Sequence, residues 1–436
     1  MMRVRVLVGA VLLASAGVTG LVQARSVPAL PATPVAAPAT QALVNRYVAE
    51  NKVPGLVVGI GRGDAPTEYY KAGRIAAEAD APLADENSLW RVYSMTKPIT
   101  GIAAMILVEE GKLKLDQPIS DFIPAFKNMR VLNDPAGPVT ATHPAAHPIT
   151  VRMLLTHTAG LGYDLGQNPV PGTLLDQYRQ QGINPAQISN QLEPNQRAIR
   201  PASLEAFANK LATFPLVYEP GTKWSYSIGL DLMGRVIEVA SGMTFDAFLQ
   251  KRLFDPLKMK STFFTVPGSE AGRLATNYFY AGENRLPVDP GKGSLWLKPP
   301  SFPYGGAGLV SSAHDYDRFL HMLQNGGTLD GVRVLKPETA RLAMSNLLPA
   351  GADTTLLGTL TSVGKLGFGA GGSVYLADVP GAASKGTYGW GGAASTLAWV
   401  DPAKNVRGVV MVNYMPTEKW PLRADLNQAL VADLLK

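Results

Sequence analysis

The chain has 436 residues, 46% hydrophobic and 17% charged, enough for one large domain or two medium ones with a substantial core. Its formal charge of +6 becomes +4 once Arg3 and Arg5 leave with an acid-free N-terminal segment. That is too mild and too scattered to point to nucleic acid, and the lack of any cysteine excludes disulfides, a thiol nucleophile, cysteine metal sites and a lipid-modified cysteine.

Arg3 and Arg5, the apolar run 6–18 and Val22-Gln23-Ala24 read as a secretory signal peptide over residues 1–24. The apolar run is short for a membrane span, so cleavage and no stable membrane anchor are expected. A bacterial periplasmic or secreted location fits. Residues 25–40 form a Pro/Ala-rich linker. Residues 41–51 suggest a first helix, and 55–62 and 68–74 two strands of a hairpin. Gly59-Ile60-Gly61-Arg62-Gly63 echoes a nucleotide-binding turn, but no helix follows, so it reads as a strand end.

Next comes Trp90-Arg91-Val92-Tyr93-Ser94-Met95-Thr96-Lys97-Pro98. Ser94 and Lys97 are three apart, one helical turn on the same side. Ile102, Met105, Ile106 and Glu109 continue helical spacing, and Gly111 is a natural stop. Pro98 is tolerated only in a first turn, so the helix must start close to Ser94. A serine there has a free backbone N–H for an oxyanion, a positive helix end and a lysine within reach of its hydroxyl.

Beyond it, 116–123 reads as a turn and short helix, and 128–148 as a Pro-rich loop. His143 and His147 are four apart, but the prolines spoil a helix and no acid or cysteine lies nearby, so no metal site is expected. A helix over 150–158 ends in His157-Thr158-Ala159-Gly160. Residues 163–200 suggest a long loop or cap, 203–213, 228–241 and 244–253 helices, and 265–303 an irregular stretch. A strand at 305–312 runs into a helix at 313–324, followed by a short strand at 333–335 and a helix at 337–347. The pattern then turns to strands (367–376, 387–400, 407–414) before a closing amphipathic helix at 421–435. Strands near both chain ends and a helical middle suggest a mixed α/β domain (41–120 with 300–436) and a mainly helical insertion (121–299), with the active site at the join.

Ser-x-x-Lys alone is a cheap pattern. Ser362-Val363-Gly364-Lys365 repeats it, but among glycines and without an apolar helix. Ala382-Ala383-Ser384-Lys385-Gly386 approaches a nucleophile elbow, yet lacks the helix an elbow needs. A lysine is ordinarily protonated at neutral pH and needs a partner to act as a base. Tyr226, just before a helix, could relay a proton between Ser94 and a leaving group, and could equally be a core tyrosine. His157 and His314 read as structural.

Together the motifs resemble the serine β-lactamase and penicillin-binding-protein superfamily, on its class C-like branch, and most of all family VIII carboxylesterases. The marks, in order over residues 41–435, are Ser94-Met95-Thr96-Lys97, Leu154 to Leu161 (LLTHTAGL), Pro220 to Ser227 (PGTKWSYS), Leu253 to Met259 (LFDPLKM), Gly306 to Ser312 (GAGLVSS), and Tyr388-Gly389-Trp390-Gly391-Gly392. The resemblance implies an antiparallel sheet flanked by helices with an inserted helical domain. It implies Ser94 as nucleophile, Lys97 and Tyr226 as the base system, and the N–H groups of Ser94 and Ala393 as oxyanion hole. Trp390, Gly391, Gly392, Tyr93, Tyr304, Tyr388 and Phe302 become pocket candidates, although ordinary packing explains each aromatic singly as well. No metal or cofactor is implied, and the expected partner is a small-molecule ester.

Two positions depart from the β-lactamase pattern. Ile228 stands where Tyr-x-Asn has its asparagine, and Trp390-Gly391-Gly392 replaces Lys-Thr-Gly. The cation and hydroxyl that would hold a substrate carboxylate are gone. A serine esterase for short- to medium-chain esters is therefore expected. A β-lactamase, D-aminopeptidase or acyltransferase of the same superfamily is the alternative, and a non-catalytic cell-wall-binding or sensor protein is a third reading.

Overall fold

In the computed structural model, residues 36–164, 170–183, 187–361, 365–380 and 382–434 are described. The expected signal peptide, residues 25–35 of the expected linker, and Ser362 of the second Ser-x-x-Lys lie outside them. The linker reading fails at its end, where helix α1 (Pro38–Ala49) already starts. Proline suits a first helical turn, which is why Pro38 opens the helix.

A strand buried on both faces reads as a nearly unbroken apolar run. Two segments have that character, β1 (Gly55–Arg62) from the start of the chain and Val406–Met411 near its end. They pair antiparallel, Val58 opposite Val410, and form the centre of a seven-stranded antiparallel sheet. With β2 (Glu68–Gly73), β3 (Leu366–Phe368), β4 (Ser373–Tyr375), β5 (Tyr388–Gly391), β6 (Leu397–Asp401) and β7 (Val406–Met411), the order is β3-β4-β5-β6-β7-β1-β2. Every ladder is antiparallel. The expected strands 367–376 and 387–400 are each a hairpin, because glycines and small residues break the runs midway.

One sheet face packs against α1 and the last helix, Leu422–Leu434, around Leu43, Tyr47, Leu56, Val410 and Leu426. The other face meets the larger core. At its middle lies α2 (Thr96–Glu109), buried from Thr96 to Leu107. A helix apolar on all sides belongs inside a core. Next to it runs α3 (Gly229–Ser241), ended by left-handed Gly242, while α4 (Ala313–Gln324) packs on β7, β1 and β6. Three segments read as loops hold local structure. Residues 128–148 contain a short hairpin, 163–200 two short helices, and 265–303 the hairpin Asn277–Ala281 with Asn284–Asp289. Their polar, Pro-rich composition hid pairings that depend on distant contacts.

Candidate active site

Ser94 is placed from both sides. The two-residue strand Trp90–Arg91 pairs with Val310–Ser311, and Asn413 brackets Arg91, accepting from its N–H and donating to its carbonyl, each at 3.0 Å. The Arg91 guanidinium is fully buried on Asp289, Ser294 and the Ala275 carbonyl. The chain then turns through Tyr93 at φ 41°, a left-handed conformation that non-glycine residues seldom adopt. Ser94 lies in a single 3-10 turn (Tyr93–Met95) that leads into α2.

Lys97, one turn on, is fully buried. Its ammonium donates to Ser94 Oγ at 3.1 Å, to the Gly306 carbonyl at 2.7 Å and to the Tyr163 hydroxyl at 3.3 Å. Tyr226 reaches Ser94 from the segment just before α3, its hydroxyl donating to Ser94 Oγ at 2.7 Å. The Lys97 ammonium also lies 4.7 Å from the centre of the Tyr226 ring. Trp390, on β5, donates its indole N–H to the Tyr226 oxygen at 3.1 Å. Lys97 and Tyr226 therefore meet at Ser94 Oγ, and Trp390 joins them through the Tyr226 oxygen.

The end of β5 presses against the same turn. A Cβ on Gly392 would stand 2.3 Å from the Val92 carbonyl, so only glycine permits the approach. The Gly392 N–H is taken by Thr396. The N–H groups of Ser94 and of exposed Ala393 have no acceptor among the described residues. Gly391 continues β5 opposite Leu397.

The other pocket candidates sit in the interior. Tyr93 packs edge-on to Trp296, and its hydroxyl accepts from Asn277. Tyr388 is buried, donating to the Ala370 carbonyl at 2.6 Å. Tyr304 is buried against Phe302, with ring centres 4.4 Å apart. For these residues the sequence could not separate a wall from a core. Ile228 is buried, and its N–H donates to the Gly162 carbonyl. Ser384 has no helix after it, and its N–H binds Asp401. His143 contacts Asn133 and Glu219 at an exposed position.

Two residues escaped the sequence reading. Tyr163 lies in the stretch read as loop, with no local signal. Asp231 is a fully buried carboxylate in the first turn of α3, among Leu230, Leu232 and Met233. A charge inside an apolar helical run was the available clue. Burial pushes its carboxyl up to about 6, against the opposing pull of Lys97. His157 packs on the Tyr226 ring, 4.7 Å between centres, with Nδ1 at 3.0 Å from Ser227 Oγ. Burial, with Lys97 adding to it, holds the imidazole well below its ordinary value, hence neutral.

An antiparallel sheet flanked by helices, with Ser-x-x-Lys opening the buried helix, defines a protein of the β-lactamase and transpeptidase-like fold. The beta-lactamase family model matches residues 40–433, and the chain belongs to that family. It is 32% identical to the lovastatin esterase of Penicillium rubens over 362 residues, 79% of this chain and 84% of that one. It is 30% identical to esterase EstB of Burkholderia gladioli over 397 residues, 85% and 89% of the two chains. Among solved structures it resembles EstCE1, described as a hydrolase with promiscuous acyltransferase activity. There the TM-score is 0.73 and the identity 26%, over 90% of this chain and 97% of that one.

Proposed function

We propose that the protein is an exported serine esterase that hydrolyses short- to medium-chain carboxylic esters through an acyl-enzyme on Ser94. The observation that carries this reading is the convergence of the Lys97 ammonium and the Tyr226 hydroxyl on Ser94 Oγ. A nucleophile within hydrogen-bond reach of its base, with the base held by a third group, is the arrangement such chemistry needs. Gly306 and Tyr163 hold Lys97, and Trp390 holds Tyr226.

In the form of the pair that lacks one proton, a neutral Lys97 amine beside the Tyr226 phenol, Ser94 gives its hydroxyl proton to the pair as its oxygen bonds to the ester carbonyl carbon. The oxyanion takes the free N–H groups of Ser94 and Ala393. The intermediate collapses, the C–O bond to the alcohol breaks, and the alkoxide leaves with the proton from the pair. Water gives a proton to the pair and attacks the acyl-enzyme. The carboxylic acid is released and the Ser94 hydroxyl restored.

Ester selectivity is supported by Trp390 at the position of a cation. Its indole N–H is spent on Tyr226, and Gly391 offers no hydroxyl, so a substrate carboxylate finds no charged partner on this strand. Colour release from p-nitrophenyl butyrate and from a chromogenic cephalosporin decides the point. The esterase reading expects the ester to turn over faster, and faster cephalosporin turnover overturns it. Acyl transfer differs only in the acceptor, an alcohol in place of water. Relatives named as acyltransferases make it the second reading, and ester exchange in the presence of a primary alcohol measures it.

A further inference from the structure

Asp231 plays no part in the chemistry above, yet its surroundings are unusual for a carboxylate. It is fully buried. Its Oδ1 accepts the Gly306 N–H at 2.9 Å, while Oδ2 has no hydrogen-bond partner among the described residues. The carbonyl of that same Gly306 accepts from Lys97 at 2.7 Å. A Cβ at position 306 would stand 2.5 Å from Asp231 Oδ2, so glycine is what lets the carboxylate and the main chain come together.

Lys97 is also fully buried, and the groups it touches, Ser94, Tyr163 and the Gly306 carbonyl, are all neutral oxygens. A buried ammonium without a counter-charge is strongly destabilised, because its lost hydration is not replaced. Asp231 and Lys97 feel each other's charge across the single residue Gly306. The other titratable groups that face Asp231 are Tyr163, from the loop after His157, and Tyr304, from the segment before Gly306. Burial pushes both phenols up, so both stay neutral at ordinary pH.

We infer that Asp231 is a positioning residue of the Ser94 centre. It fixes the Gly306 main chain so that the carbonyl there holds Lys97 against Ser94, and its charge balances the Lys97 ammonium where water does not reach. The inference rests on the serine hydrolase reading above. A carboxylate in the first turn of a helix also stabilises the helix end, and that purely structural role makes different predictions.

The test is Asp231→Asn, which keeps an acceptor for the Gly306 N–H and removes the charge. With p-nitrophenyl butyrate, kcat falls about tenfold or more while KM stays within about threefold. The substitution removes a buried negative charge from beside the Ser94 centre, so the acid limb of kcat/KM moves to lower pH. A variant with wild-type kcat and pH profile, or one with lower activity and an unmoved profile, overturns the inference. If Asp231→Asn does not fold, the pair is read from the other side in Lys97→Met with carboxyl-labelled aspartate by infrared spectroscopy. Coupling is reciprocal, so the buried carboxyl holds its proton to higher pH in Lys97→Met than in the wild type. An unmoved titration overturns the inference. Wild-type protein that neither hydrolyses the ester nor labels with a fluorophosphonate sinks the serine hydrolase reading instead, and the infrared comparison still decides whether Asp231 and Lys97 are coupled.

Discussion

Two buried cations flank the Ser94 turn, and they are treated in opposite ways. Arg91 is saturated. Its Nε donates to Asp289 Oδ2 at 2.5 Å, and its other nitrogens find Ser294 and two backbone carbonyls. Asp289 in turn accepts from Ser294 Oγ and the Leu295 N–H, so the pair has no spare capacity. Lys97 has three neutral partners, one of them the serine hydroxyl, and its nearest acid stands one residue away with an oxygen unpartnered. A saturated pair can only hold structure together. A centre with spare bonding capacity can exchange a proton, and its burial makes each interaction stronger than it would be in water.

The contrast is sharpest at the two ends of the reactive triad. Ser94→Ala should lower ester turnover by about a thousandfold or more while the thermal midpoint stays near that of the wild type. Lys97→Met should lose turnover as strongly, but it leaves the buried Asp231 carboxylate without its counter-charge, so its stability loss should shrink as pH falls and that carboxyl takes up a proton. A large stability loss in Ser94→Ala, or a pH-independent one in Lys97→Met, contradicts this contrast. Arg91→Met should do the reverse. It leaves Asp289 buried and unpaired, and about 3–5 kcal/mol of stability should go, read from the urea midpoint. If Arg91→Met is as stable as the wild type, the saturated pair is not structural.

Tyr226→Phe tests the relay. Turnover should fall by about a hundredfold or more with little change in KM, since general acid–base catalysis contributes on that scale. Trp390→Phe removes one neutral hydrogen bond from the Tyr226 oxygen and should reduce turnover by about three- to tenfold. A greater loss would mean that the indole also touches substrate.

The smallest effect belongs to His157. Its folded-state value lies below the ordinary one, so the unfolded chain takes up a proton that the folded one refuses. Its stabilising contribution is present above the ordinary histidine range and is lost as pH falls below it, at up to about 1.4 kcal/mol per pH unit. His157→Gln should flatten that acid-side slope. Asp231 acts in the opposite sense. Raised in the folded state to about 6, it opposes folding above that pH and is relieved as its carboxyl takes up a proton. The two contributions oppose each other on the acid side. Melting curves of both variants across pH 4–8 separate them.

How much of this was legible in the chain depends on where each signal resides. β1, β2, α2, α3 and α4 carry their own apolar pattern, and their bounds were readable to within a few residues. The serine and lysine share one helical turn, so their proximity follows from local geometry alone. Tyr226 needed the motif in order, because 132 residues separate it from Ser94. Tyr163 and Asp231 were missed because their roles exist only after folding. One follows a glycine-rich turn, and the other looks like an interruption in an amphipathic helix. Tyr93 and Tyr388 show the converse limit, since an aromatic beside a reactive motif and an aromatic in the core behind it look alike in sequence, and both side chains are buried.

Ser94, within the under-partnered centre, is the proposed nucleophile. Peptide mass mapping after treatment with a fluorophosphonate decides this. One adduct is expected, on the peptide that holds Ser94, absent from Ser94→Ala and strongly slowed in Lys97→Met. An adduct on Ser384, or equal labelling of Ser94→Ala, would contradict it.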